Sequence, residues 1–331
     1  MPNPTEKFPR NSELPLQSPL FWVEQKDRYL RQLLIRDIEA LTTRRLVVYY
    51  ANRMTNAQID MRDCSMMYEL FGDVGSEPVD LMLETNGGLT DSTEALVTTL
   101  QNLTTDFRVI VPNAAKSNGT LLGLASKSIV MGAVSELGPI EPSVQGIPAS
   151  VLIQPQIAQS NFLLHMAGNY VLQQTRALAR KLLSTGMMNG NLQQVDDVVH
   201  KLSTRDYYFS HGSVIDHREA KALGLNITYL PPEDEIWKRL WLLYCMFEHD
   251  CRTANYMKVF EGRARSTAIA APPPMPMQAA APMPMPQVAP QPPPVPPPAP
   301  APPVAPASPA APAPAPPSAP TAAPGPNTRQ P

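Results

Sequence analysis

The chain has 331 residues, 27 Lys+Arg against 29 Asp+Glu for a formal net charge of −2, and 40 prolines. That near-neutral balance supplies no basic face and argues against nucleic acid as a partner. No segment reaches the ~18 apolar residues of a membrane span, and the opening Met1-Pro-Asn-Pro-Thr-Glu-Lys-Phe-Pro9 lacks the basic-then-apolar order of a secretory signal, so the chain reads as cytoplasmic.

Residues 1–17 carry no periodic pattern and read as a flexible N-terminus. Ser18-Pro19 then looks like a helix cap with proline at the first helical position. Phe21, Trp22, Tyr29, Leu30, Leu33, Leu34, Ile38 and Leu41 recur at helical spacing, which predicts an amphipathic helix to about Thr42. Leu46 to Ala51 is a short buried strand, and Ile59, Asp63, Met67 and Leu70 mark one helix face. Val79 to Thr85 is strand-like and ends on the turn Asn86-Gly87-Gly88. Asp91-Ser-Thr-Glu94 fits a capping box with an aspartate cap, opening a helix through Leu103.

A strand at 107–112 follows, then the turn Ala115-Lys-Ser-Asn-Gly-Thr120, a helix to about Ser126, and the strand Ile129 to Met131. Strands and helices alternating at this spacing imply right-handed crossovers and a largely parallel sheet. Ser135-Glu-Leu-Gly-Pro-Ile-Glu-Pro142 is rigid and turn-rich. Further helices are predicted from Phe162 to about Leu183, Leu192 to Leu202 and Ala220 to Leu225, with a strand at Asn226 to Leu230 and a last helix from Glu235 to about Phe260. Between Pro272 and Pro331 lie 27 of the 40 prolines, with almost no charge and no aromatic residue. Proline removes the N–H groups that helices and sheets need, so residues 263–331 read as a disordered Pro/Ala/Met-rich tail. One foldable domain is left, at 18–262.

Two turns carry the chemistry. Gly87-Gly88 and Ser117 each sit just after the carboxyl end of a parallel strand, where open α/β sheets place their sites. Glycine lets the backbone adopt unusual angles and a substrate approach closely. The N–H groups of Gly88 and Asn118 are then aimed at one developing oxyanion beside the Ser117 hydroxyl. Taken singly, Gly-Gly is a tight turn and Ser117 a helix cap; their order and spacing together favour a site. Cys64, Cys245 and Cys251 are an odd number at no zinc spacing and read as free thiols. His165, His200, His217 and His249 show no metal-ligand pattern, so no metal or other cofactor is expected. Lys116, next to the serine, should point away from it into a solvated or ion-paired position. Glu136 and Glu141 sit in the rigid loop and shape the cleft.

The elements Leu83-Glu-Thr-Asn-Gly-Gly88, Pro112-Asn-Ala-Ala-Lys-Ser-Asn-Gly-Thr120, Ile129-Val-Met-Gly132 and Ser135-Glu-Leu-Gly-Pro-Ile-Glu-Pro142 resemble the serine dehydrogenase proteinase family. That family lies within the Clp protease/crotonase group, related to signal peptide peptidase A. The resemblance covers roughly residues 40–230 and is densest over 79–142. It implies an α/β fold built as a spiral of ββα units with flanking helices, Ser117 as nucleophile, and oxyanion donors at Gly88 and Asn118. Asparagine stands after the serine where a small or apolar residue is more usual.

The resemblance also suggests a base. The Clp protease histidine has no counterpart near Pro139–Pro142, and the lysine of signal peptide peptidase A has none at Asn169-Tyr170; Lys181 lies further along. His211, in Ser210-His-Gly-Ser-Val-Ile215, matches a histidine-bearing segment of the family, with Asp206 or Asp216 to orient it. Three readings stay open: a serine peptidase acting on peptide or protein substrates, a crotonase-like acyl-CoA enzyme using the same two N–H groups, and a catalytically inactive Clp-like scaffold. A homo-oligomer is expected, because helices 18–42 and 235–260 carry more apolar surface than a lone domain covers.

Overall fold

The structure, a computed structural model, describes residues 18–272 except Asp73 and Gly190. The N-terminal segment expected to be flexible and the proline-rich run beyond 272 lie outside the described residues. The chain opens with α1 (Pro19–Glu24) and α2 (Lys26–Thr42), broken at Gln25, then β1 (Arg45–Ala51) and α3 (Arg62–Phe71). Next come β2 (Val79–Glu84), α4 (Thr90–Leu103), β3 (Phe107–Val111), the two-residue β4 (Ala114–Ala115), α5 (Asn118–Leu124), β5 (Ile129–Met131) and β6 (Glu136–Leu137). A small hairpin, β7 (Ser143–Val144) and β8 (Ile147–Pro148), leads to α6 (Ala149–Leu152), α7 (Pro155–Ser160), the long α8 (Phe162–Thr185) and α9 (Leu192–Ser203). α10 (His217–Ala222), β9 (Ile227–Tyr229), α11 (Glu235–Thr253), β10 (Tyr256–Glu261) and β11 (Ser266–Ala270) complete the described fold.

The main sheet runs β11-β10-β1-β2-β3-β5-β9, with the five strands from β1 to β9 parallel and β10 and β11 antiparallel at one edge. Every residue of β1 and β2 is buried, as a parallel sheet covered on both faces requires. Alternation along the strands sorts the core into two layers. Leu46, Val48, Tyr50, Met82, Ile110 and Val130 face α2 and α11. Val47, Tyr49, Leu81, Leu83, Val109, Val111, Ile129 and Met131 face the opposite layer, with Met67, Leu96, Leu121, Leu182 and Val198.

A second, shorter ladder crosses the carboxyl ends of the parallel strands. It links Ile59 to Gly88, Thr85 to Ala115, Ala115 to Leu137, and Leu137 to Ile215. Strand, short strand and helix therefore repeat as β2–Gly88–α4 and β3–β4–α5, which is the expected ββα spiral. No helix among the described residues is long and apolar enough to cross a membrane.

Three expectations need correction. The last helix stops at Thr253, and 256–261 is a strand after a left-handed turn at Asn255 (φ 55°). Tyr256 and Phe260 sit at a spacing that fits either periodicity. The alternation is also masked because Lys258 and Glu261 are buried, Lys258 by pairing with Asp63 at 2.7 Å and Glu261 with Arg31 at 2.7 Å. Residues 266–270, assigned to the tail, instead form β11; an edge strand is held by main-chain bonds and needs no apolar pattern. Finally, α4 begins at Thr90 and no side chain caps it, so Asp91 lies in its first turn rather than at its cap.

Candidate active site

The carboxyl ends of β2 and β3 meet at Thr85. Its N–H donates to Ala114 O (3.0 Å), its carbonyl accepts from Lys116 N (3.0 Å), and its hydroxyl accepts from Gly87 N (3.0 Å). One residue thereby fixes both turns. Glu84, buried beside it, accepts from Ala114 N and Asn113 Nδ2, each at 2.9 Å; burial pushes its pKa up to about 7. Thr120 adds a third tie, donating to Ala115 O and accepting from Gly138 N.

Ser117 stands on this frame with φ 54° and ψ −119°, in a region L-residues seldom occupy. Such a conformation costs about 1–3 kcal/mol and persists only where surrounding bonds impose it. Gly87 lies against it. A Cβ on Gly87, whose φ is +102°, would meet Ser117 Cβ at 2.8 Å and Asn118 N at 3.0 Å. A Cβ on Gly88 would strike Ile59 N at 2.2 Å. Both positions exclude a side chain because two backbones touch there.

Ile59 N donates to Gly87 O and Leu89 N to Ile59 O, so the N–H and C=O of Gly88 itself face away from Ile59. The Gly88 carbonyl accepts from Asn118 Nδ2 at 2.5 Å. Among the described residues no acceptor is found for the N–H of Gly88 or of Asn118.

These groups border a cleft of about 560 Å³ whose walls include Gly88, Thr90, Asp91, Ser92, Ser117, Asn118, Glu141, Gln174 and His211. His211 therefore shares the cleft with Ser117, although no side chain among the described residues lies within hydrogen-bond reach of Ser117 Oγ. The residue is exposed by surface area, yet the cleft walls crowd its ring. That desolvation holds its pKa below the ordinary histidine value, opposed by the Glu141 carboxylate. Its loop is pinned where Lys116 Nζ donates to Ser213 O (3.0 Å) and where Leu137 and Ile215 exchange backbone bonds at 2.9 and 3.1 Å. Lys116 is buried, and its three N–H donors are engaged by Glu136 (3.0 Å), Leu137 O (3.2 Å) and Ser213 O. The ion-paired role expected for it is the one the structure contains, although the group is buried rather than solvated. Burial lowers its pKa and Glu136 opposes that shift.

The partners expected for His211 lie elsewhere. Asp206 is at the surface, 3.5 Å from His200 Nε2, and Asp216 caps α10 by accepting from Arg218 N and Glu219 N. Lys181 is exposed on α8 and does not line the cleft. Two acids line the cleft, Asp91 and Glu141; the one that acts on His211 is Glu141, buried and held by Arg205 Nε at 2.9 Å and by the Ser150 hydroxyl. Its flanking prolines announced a rigid loop, but Arg205 lies 64 positions away, beyond any local pattern. Gln174, which donates to Asp91 at 2.5 Å, gave no signal either: its sequence neighbourhood is ordinary helix. Among the described residues no group of histidine, cysteine and acidic side chains could hold a metal ion, and the three cysteines are free.

A family model described as ClpP-like SDH-type serine proteinase matches residues 70–263. An uncharacterized protein of Methanocaldococcus jannaschii is 26% identical over 165 residues, covering 48% of this chain and 56% of the relative. A second from the same organism is 32% identical over 77 residues, covering 23% and 26%. The chain thus spans little over half of the first relative and about a quarter of the second. Among solved structures, a ClpP1 mutant from Listeria monocytogenes matches with TM-score 0.40 and 13% identity over 60% of this chain and 98% of that one. A mutant of the membrane-bound stomatin-specific protease 1510-N matches with TM-score 0.36 and 19% identity over 55% and 79%.

Proposed function

The chain belongs to the ClpP-like SDH-type serine proteinases, and from that premise we propose that it hydrolyses peptide bonds with Ser117 as nucleophile. Ser117 Oγ attacks the peptide carbonyl and its proton passes to His211, which the cleft keeps neutral. The N–H groups of Gly88 and Asn118 stabilise the resulting oxyanion. Collapse breaks the C–N bond, the amine takes the proton back from His211, and water releases the acyl group. Because Ser117 Oγ has no partner among the described residues, the reading requires the 209–214 loop to close on it when substrate binds; catalytic hydrogen bonds are often long before that. Glu141, rather than Asp206, is the carboxylate placed to favour protonated His211.

The observation that carries this reading is the strained backbone of Ser117, held against Gly87, with the N–H groups of Gly88 and Asn118 lacking an acceptor among the described residues. An inactive scaffold gains nothing from such strain. The acyl-CoA alternative is disfavoured by the cleft, whose lining includes Asp91 and Glu141 but neither lysine nor arginine to meet phosphates. Cleavage of a fluorogenic peptide library tests the proposal. Ser117→Ala should reduce turnover by about 10³-fold or more with the fold intact; equal turnover in that variant excludes Ser117.

The proposal extends to a homo-oligomer, supported by Leu30, Leu41, Trp241 and Leu242 exposed on α2 and α11 and by Phe162, Leu163 and Tyr170 exposed on α8. A monomeric mass by light scattering at micromolar concentration contradicts it.

A further inference from the structure

We infer that the carboxamide of Asn118 is a strap holding the two oxyanion donors in register, a positioning role for a side chain whose backbone N–H is one of those donors. The inference rests on the peptidase reading above. The two N–H groups belong to separate turns, after β2 and after β4, so their relative aim is set by whatever ties the turns together. Thr85 does so at their base. At the cleft, Asn118 Nδ2 donates to Gly88 O at 2.5 Å and lies 3.4 Å from Thr90 Oγ1. Ile59 holds the peptides on either side of Gly88 to its own strand, and the Asn118 bond to the Gly88 carbonyl then ties that turn to the start of α5, the element that carries the second donor.

The carboxamide can take this role in one orientation only. Reversed, it would set Oδ1 against the Gly88 carbonyl, oxygen facing oxygen. In the orientation present, Oδ1 is buried with no partner among the described residues, and Asn118 as a whole is only 7% exposed. A buried acceptor without a donor is a standing cost to the fold. Alanine at 118 would keep the backbone N–H and avoid that cost. The residue is therefore explained by its donor half, which acts on Gly88.

The test is the rate at which a fluorophosphonate probe modifies Ser117 in the full chain. In that reaction the Oγ–P bond forms, fluoride leaves with the P–F electron pair, the serine proton goes to the base, and the phosphoryl oxygen occupies the oxyanion position. Asn118→Ala should lower the maximal labelling rate about tenfold while the half-saturating probe concentration stays within twofold, since the donors act on the transition state. Asn118→Asp keeps the shape but presents an acceptor to Gly88 O. It should be slower than Asn118→Ala at pH 8, and should gain on it as pH falls towards 5 and the carboxyl begins to carry a proton it can donate. Protonation also removes the carboxylate charge from beside the oxyanion position, which alone brings Asn118→Asp only level with Asn118→Ala; the strap predicts that the protonated Asn118→Asp surpasses it.

An Asn118→Ala variant as fast as the native chain, or one whose loss is confined to half-saturation, overturns the strap while leaving the peptidase reading in place. A native chain that does not label overturns both. Should Asn118→Ala fail to fold, Asn118→Asp decides against the native chain: recovery to within about twofold of the native rate at pH 5 supports the strap, and a deficit that stays near tenfold overturns it.

Discussion

The nucleophile side and the histidine side of the cleft are built by different means. Ser117, Gly87 and Gly88 rest on buried parallel strands, and hydrogen bonds from Thr85, Glu84 and Thr120 fix the backbone to either side of them. His211 rides on an exposed turn whose neighbours Phe209 and Val214 are 81% and 56% exposed, anchored before it by buried Tyr208, which donates to Glu219, and after it by Lys116 and Leu137. Under the proposed peptidase reading, the oxyanion donors are preorganised and the base is delivered. Such a division suits an enzyme in which substrate binding completes the site.

Substitutions on the two sides should differ in kind. On the rigid side, Gly88→Ala places a methyl group 2.2 Å from Ile59 N. It should destabilise the domain by about 3 kcal/mol or more, read as a lowered thermal midpoint, because neither backbone can withdraw. A stable, fully active Gly88→Ala chain would show that the turn is not held as described.

On the delivered side, loss of function at His211 should come without loss of stability. His211→Ala should reduce kcat about 100-fold with an unchanged melting curve. The pH profile carries the sharper signature. A base whose pKa is lowered by desolvation is neutral at pH 7, so activity in the native chain should fall only as pH drops below the ordinary histidine value of about 6.5. That acid limb should vanish in His211→Ala; its persistence would assign the proton transfer to another group. Releasing the loop by Lys116→Met should have the smaller effect on kcat, about tenfold, with the position of the limb moved little; unlike His211→Ala it should also lower the thermal midpoint, because Glu136 and two carbonyls lose a buried donor.

The same division governed what could be read from sequence. The turn at Gly87-Gly88 and the serine at 117 are local devices: a strand end, residues that tolerate unusual angles, and a helix start leave a short recognisable pattern. Buried strand β1 was legible for a similar reason, since a covered parallel sheet favours apolar runs, and β2 and β3 kept enough apolar residues around Asp80 and Arg108, which pair with each other at 2.7 Å. The acid beside His211 was not. Asp206 stood five residues before the histidine and looked suitable, but the chain turns it towards His200, while Glu141 arrives from the proline-rich loop and is fixed by Arg205 and Ser150. β10 was hidden because Lys258 and Glu261 fill core positions normally held by apolar residues, with partners at Asp63 and Arg31 brought by other elements. In both of these the deciding contact spans distant parts of the chain.

The central claim is that Ser117 is a preorganised nucleophile. Mass spectrometry of the full chain after treatment with a fluorophosphonate probe tests it most directly. One adduct per chain, mapped to Ser117 and absent from Ser117→Ala, is the expected result. No adduct, or an adduct on another residue that survives Ser117→Ala, would contradict it.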